Sequence, residues 1–275
     1  MSGQAEGLWR LPEANLAAES TRNSETGSGV QVRPMHAGES AVVLVATSLL
    51  GIVSFYGLRP YLESLGWKPY PAYLGALSVV FIVLVVWSLV SYTTEGQPKT
   101  LQAFRERTRF MAIRPRLLLW GLGLGGFMFL VTAAFSPLLS RAASSGLLPL
   151  PAGIPNYLNP SQQSSIGLLK AQFAAQGVLR LIPIVIMLNV FAEELFWRGM
   201  IFPRQEMQHG GRAYLVHGAV WALSHLFQYW MLPPILIGSL ALAWVVQHTR
   251  STWVSVLAHL LNNAFPFLLM LLLLD

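Results

Sequence analysis

Three short clusters of polar residues interrupt an otherwise apolar sequence of 275 residues. The first is Asn189-Val-Phe-Ala-Glu193-Glu194-Leu-Phe-Trp-Arg198-Gly199, the second Trp221-Ala-Leu-Ser-His225 and the third His259-Leu-Leu-Asn-Asn263. A charged group at mid-membrane costs at least ~2.5–3.5 kcal/mol, so ionisable residues within apolar runs are functional suspects by default. On a helix, Glu194 and Arg198 lie four apart on one face, with the acid on the N-terminal side, the favourable order for an ion pair. Glu193 points about 100° away and is left facing the bundle interior, with Asn189 one turn behind it. His259 and Asn263 are again four apart and address one locus. A division of labour follows: Arg198 neutralises and orients Glu194, while Glu193 and the imidazoles are free to hold and move protons.

Two chemistries fit these residues. In one, Glu193 is the general base on a water also held by His225, and His259 with Asn263 donates to the oxyanion of an attacked peptide carbonyl. In the other, Glu193, His225 and His259 bind Zn²⁺ and the metal-bound water attacks. Asn is a poor zinc ligand and a good oxyanion donor, which favours the metal-free form. Other intramembrane hydrolases fail on inventory. There is no HExxH, no Gly-x-Ser-x-Gly elbow and no cysteine, and the only aspartate is Asp275. His36, His209, His217, His248, Ser224 and Gln228 are assigned no chemical role.

The elements that must carry these clusters are membrane helices. Hydrophobic residues make up 54% of the chain and charged ones 11%, too few to cover a soluble surface, and the mean hydropathy is +0.52. Seven apolar runs approach the ~20 residues needed to span a bilayer: Ala41–Leu58, Tyr70–Tyr92, Leu117–Leu139, Val178–Trp197, Ala213–Met231, Pro234–His248 and Trp253–Leu274. The stretch Gln162–Gln176 is a candidate eighth helix. The expected fold is therefore all-α, a polytopic bundle of seven to eight membrane helices over residues 41–275. Residues 1–40, rich in Ser, Gly, Ala and Glu, read as disordered. Met35, just before the first run, is an alternative start, an expectation that any peptide mapped upstream of it would end.

The net charge of +6 reflects topology rather than nucleic-acid binding, because the basic residues sit at the ends of apolar runs. The rule that basic loops stay inside puts thirteen Lys and Arg with a cytoplasmic N-terminus and four outside. In that orientation Glu193 lies ~15 Å from the inner end of its helix near Pro203, with His225 ~18 Å deep, His259 ~10 Å and Asn263 ~16 Å. The polar groups thus converge on one level in the cytoplasmic half. Phe104–Arg116 interleaves Arg with apolar residues and reads as an interfacial helix on anionic lipid or as a plain topology anchor. Gly121 and Gly125 form a GxxxG pattern that calls for close helix packing.

The ordered trio, Glu193-Glu194-x-x-x-Arg198, Trp221-x-x-x-His225 and His259-x-x-x-Asn263, resembles the CAAX protease and bacteriocin-processing family (CPBP, or Abi), including the type II CAAX prenyl endopeptidases. The resemblance covers about residues 165–270 and departs from the common pattern at Trp221, where Phe is commoner. It implies a polytopic helical endopeptidase whose site opens to the cytoplasm. By resemblance, Glu193 and His225 activate water, His259 and Asn263 form the oxyanion hole, and Glu194 and Arg198 support them; glutamate or metal dependence stays open. The implied partners are the lipid bilayer and a membrane-anchored or lipidated protein substrate, in the inner membrane if the cell is bacterial. Two rival functions share the same residues: a non-catalytic scaffold or bacteriocin-immunity protein, and a proton-coupled transporter, which the lack of repeat symmetry disfavours.

Overall fold

A computed structural model of the chain describes residues 32–151, 154, 158–161 and 173–272. Of residues 1–40, expected to be disordered, 1–31 lie outside the described residues, as does most of the candidate helix Gln162–Gln176, while Ala37–Ser40 already belong to the first helix. All regular structure among the described residues is helical. The long elements are α1 (Ala37–Ser64, wound as a π-helix over Val53–Leu58), α2 (Pro69–Thr94), α4 (Pro115–Ser144), α5 (Leu181–Glu193), α8 (Leu232–Thr249) and α9 (Thr252–Leu272). Shorter ones are α3 (Leu101–Thr108), α6 (Phe202–His209) and α7 (Ala213–Leu223). Pro69 and Pro115 open α2 and α4 at positions whose N–H would have had no helical partner.

Among the described residues, four segments are long and apolar enough to cross a membrane: Ala37–Ser64, Pro69–Thr94, Pro115–Ser144 and Leu226–Thr249. Their outer faces carry Val42, Val45 and Leu49 on α1, Ile82, Val86 and Leu89 on α2, and Leu119, Leu122 and Leu130 on α4, all exposed. Such a surface would aggregate in water and is stable against acyl chains. The helices pack as a closed succession of neighbours, α1–α2–α5–α9–α4–α8–α7 and back to α1. Gly121 and Gly125 sit where α4 meets α9: a Cβ at Gly121 would lie 2.7 Å from Leu257 Cδ2, and one at Gly125 2.9 Å from Leu261 Cβ. This is the close packing the GxxxG spacing calls for.

Three local features differ from the sequence reading. The fourth run does not end near Pro203. α5 passes into a π-helical segment, Glu194–Ile201, and then directly into α6. Pro203 has no N–H to give the carbonyl of Gly199. Arg107 supplies the donors instead, with Nη1 2.8 Å from Gly199 O and Nη2 3.2 Å from Met200 O. The fifth run is likewise broken, because α7 stops at Leu223 and Leu226–Met231 continues as 3₁₀ turns with a non-helical Gln228.

The basic stretch Phe104–Arg116 is not one interfacial helix either. α3 ends on Arg109, which adopts left-handed backbone at φ 60°. Arg107 turns inward to Glu95, at 2.6 and 2.7 Å. Arg109 reaches Glu206, which also accepts from Arg250 Nη1 at 2.6 Å. Arg250, closing α8, is the other non-glycine residue at positive φ among the described residues. Two backbones that disfavour this conformation are thus tied to one carboxylate, and Thr252 at the start of α9 donates to Arg109 O (3.1 Å) and Thr108 O (2.7 Å). These contacts fasten the ends of α3, α6, α8 and α9 to one another.

Candidate active site

The packed helices surround a cavity of about 320 Å³. Glu193, His225, His259 and Asn263 all line it, together with Asn189, Trp221 and Ser224. The rest of the wall is mostly apolar, for example Leu77 and Phe81 from α2, Met128 from α4 and Ile235 from α8. Glu193 is 8% exposed and His259 6%, while His225 and Asn263 are more open.

The paired glutamates part company at the junction of α5 with the π-segment. Glu194 is fully buried and its Oε1 accepts from Arg198 Nη1 at 3.1 Å and from His259 Nδ1 at 2.8 Å. The expected ion pair is present, but Glu194 also ties α9 to α5. Arg198, which the loop-charge count places inside the cell, is a fully buried partner of this carboxylate and not a loop charge. Its guanidinium carbon stands 4.5 Å from the centre of the Trp221 ring, over the ring face.

Among the described residues, Glu193 accepts hydrogen bonds from neutral donors only. Asn189 Nδ2 lies 2.7 Å from its Oε1 and Trp221 Nε1 lies 3.1 Å from its Oε2. Asn263 Nδ2 donates to Asn189 Oδ1 at 2.8 Å, so the amide joins the carboxylate through Asn189. Each carboxylate oxygen has two lone pairs, which leaves one on each for a water. Asn189 was noted in the sequence only for its spacing; its place as the bridge between Asn263 and Glu193 comes from the packing of α9 on α5.

The tautomers of both imidazoles follow from their partners. His225 Nδ1 is 2.9 Å from Trp221 O, a carbonyl that can only accept, so Nδ1 carries the proton and the lone pair sits on Nε2. Ser224 Oγ, which donates to Trp221 O at 2.7 Å, is 3.3 Å from the same ring nitrogen. Consecutive residues on an unbroken helix would point about 100° apart, but the chain has already left α7 here and the two side chains meet. His259 Nδ1 donates to Glu194, which leaves Nε2 as its other functional nitrogen. Buried His217, by contrast, bonds Gln205 Oε1 at 2.7 Å and stacks on Phe202, outside the cavity lining.

A zinc site here would need Glu193, His225 and His259 to converge on one ion. Among the described residues, no three His, Cys, Asp or Glu side chains come together as a metal site. The residues as placed do not fit a resident metal ion.

Residues 175–265 match the family model of the type II CAAX prenyl endopeptidases, Rce1-like. That segment is similar to the Rce1-like family. It holds all three polar clusters, from Asn189 to Asn263, and the family is one of proteases. No curated protein and no solved structure matches the chain. The membrane-capable helices and the likeness to a membrane-protease family over this segment mark the chain as an integral membrane protein.

Proposed function

We propose that the protein is an intramembrane endopeptidase that hydrolyses a peptide bond of a membrane-anchored or lipidated protein. One observation carries the reading: Glu193, His225, His259 and Asn263, drawn from three separate stretches of chain, line one largely apolar cavity. A water held between Glu193 and His225 Nε2 gives its proton to the carboxylate as its oxygen bonds to the carbonyl carbon. The oxyanion that forms is stabilised by N–H groups of Asn263 and of a His259 imidazolium, whose Nδ1–H is already committed to Glu194. Collapse of the intermediate breaks the C–N bond, and the proton on Glu193 passes to the departing amine. Glu194 and Arg198 hold His259 in place and contact no substrate. No step runs through a metal.

The arginine-bearing end, with α3 and the start of α9, faces the cytoplasm in this proposal, as the loop charges require. The cavity extends from Glu193 away from that end, towards Tyr73, Phe227 and Pro234. In this orientation it lies on the non-cytoplasmic side of the carboxylate, opposite to the opening that the family resemblance implies. Lodging in the inner membrane of a bacterial cell fits the same topology.

The test is cleavage, in reconstituted vesicles, of a peptide bearing a C-terminal lipidated or membrane-spanning segment. Glu193→Ala, His225→Ala and Asn263→Ala are each expected to lose about a hundred-fold or more in rate, with wild-type activity surviving a chelator. Normal cleavage by all three variants would end the protease reading; loss of wild-type activity on chelation, restored by Zn²⁺, would replace the metal-free mechanism.

A further inference from the structure

Trp221 touches four of the six residues assigned to the site and is assigned nothing itself. Its indole Nε1–H donates to Glu193 Oε2 at 3.1 Å. Its carbonyl accepts from His225 Nδ1 at 2.9 Å. Its ring meets His225 edge-on with centroids 4.8 Å apart, and His259 at 6.0 Å. Arg198 covers the ring face at 4.5 Å, and the Nε and Nη2 of that guanidinium are buried with no hydrogen-bond partner, so the ring is their compensating contact. A Phe, commoner at this position in the family resembled, would fill the space and take the cation but could give Glu193 nothing. The difference between the two residues is one N–H, aimed at the carboxylate.

We propose that Trp221 is a positioning residue, its indole N–H holding the Glu193 carboxylate in line with the water it activates. The inference rests on the reading that Glu193 is the base. The N–H fixes Oε2 while Asn189 fixes Oε1, so the carboxylate is clamped from two helices and cannot rotate about its terminal bond. A cation over the ring face draws electron density from the indole and strengthens the N–H as a donor. Arg198 thereby reaches Glu193 through Trp221 while its own ion pair goes to Glu194.

The decisive substitution is benzothienylalanine at position 221, which replaces the indole N–H by sulfur and keeps the ring over Arg198. The expected result is a fall in kcat of about ten- to a hundred-fold, the range for a hydrogen bond to a charged group. KM stays at the wild-type value, and the unfolding temperature in detergent falls by no more than it does in Glu193→Ala. Trp221→Phe should move kcat in the same direction; should it fail to fold, the sulfur analogue still decides. Wild-type kcat in the analogue, or a change confined to KM, overturns the role given to Trp221 while Glu193→Ala remains inactive. If Glu193→Ala itself cleaves normally, the underlying reading has failed and not this one.

Discussion

Removing Glu194 should damage the fold, whereas removing Glu193 should damage the chemistry. Glu194 is 0% exposed and shares one oxygen between Arg198 and His259. Glu194→Ala leaves Arg198 a fully buried cation without its ion-paired carboxylate, with the face of Trp221 against it and Glu193 acting only at longer range. Breaking a buried pair from one side costs about 3–5 kcal/mol, because the remaining charge stays desolvated. At about 2–4 °C per kcal/mol for a chain of this size, the unfolding temperature should drop on the order of 10 °C. The double variant Glu194→Leu with Arg198→Met removes both charges and should recover most of that loss, less about 1–3 kcal/mol for the orphaned His259 Nδ1. Glu193→Ala, whose partners are neutral, should cost only about 1–2 kcal/mol. Thermal unfolding in detergent micelles reads all three. A Glu194→Ala protein as stable as wild type, or one no less stable than Glu193→Ala, would refute the assignment of the pair to structure and of its neighbour to the reaction.

Packing and topology give two further tests. Gly125→Ala places a Cβ 2.9 Å from Leu261 Cβ and 3.1 Å from the Ala258 carbonyl, and should cost about 1–3 kcal/mol by unfolding in detergent. Gly123→Ala, with nothing within 4 Å, should be neutral or stabilising by about 0.4–1 kcal/mol in the same measurement. The chain has no cysteine, so single-cysteine variants report orientation cleanly. Leu147→Cys, at a position 83% exposed, should react with an impermeant maleimide in intact cells, and Leu101→Cys, at one 63% exposed, only after permeabilisation. The reverse pattern would invert the bundle and turn the cavity towards the cytoplasm.

The sequence by itself determined the class of protein and the identity of the polar groups. Hydrophobic composition and run length demand membrane helices whatever their packing, since a backbone in lipid must satisfy its own hydrogen bonds. The rarity of polar residues within those runs singles out Glu193, Glu194, His225, His259 and Asn263, and the i to i+4 spacing predicts the Glu194–Arg198 pair because both partners lie on one turn of chain. Only the tertiary structure decided what reaches across helices. His259 from α9 closes on Glu194, Asn263 reaches Glu193 through Asn189, and Trp221 supplies a donor where the sequence suggested only packing. The periodic reading also misplaced Ser224 and the end of the fourth run. It assumes 3.6 residues per turn, and the chain departs from that winding at the π-segment and at the end of α7. Local spacing fixes direction along one helix; distance between helices is set by side chains far apart in sequence, such as the two glycines that let α4 close on α9 and the arginines that bind α3 to the π-segment and α6.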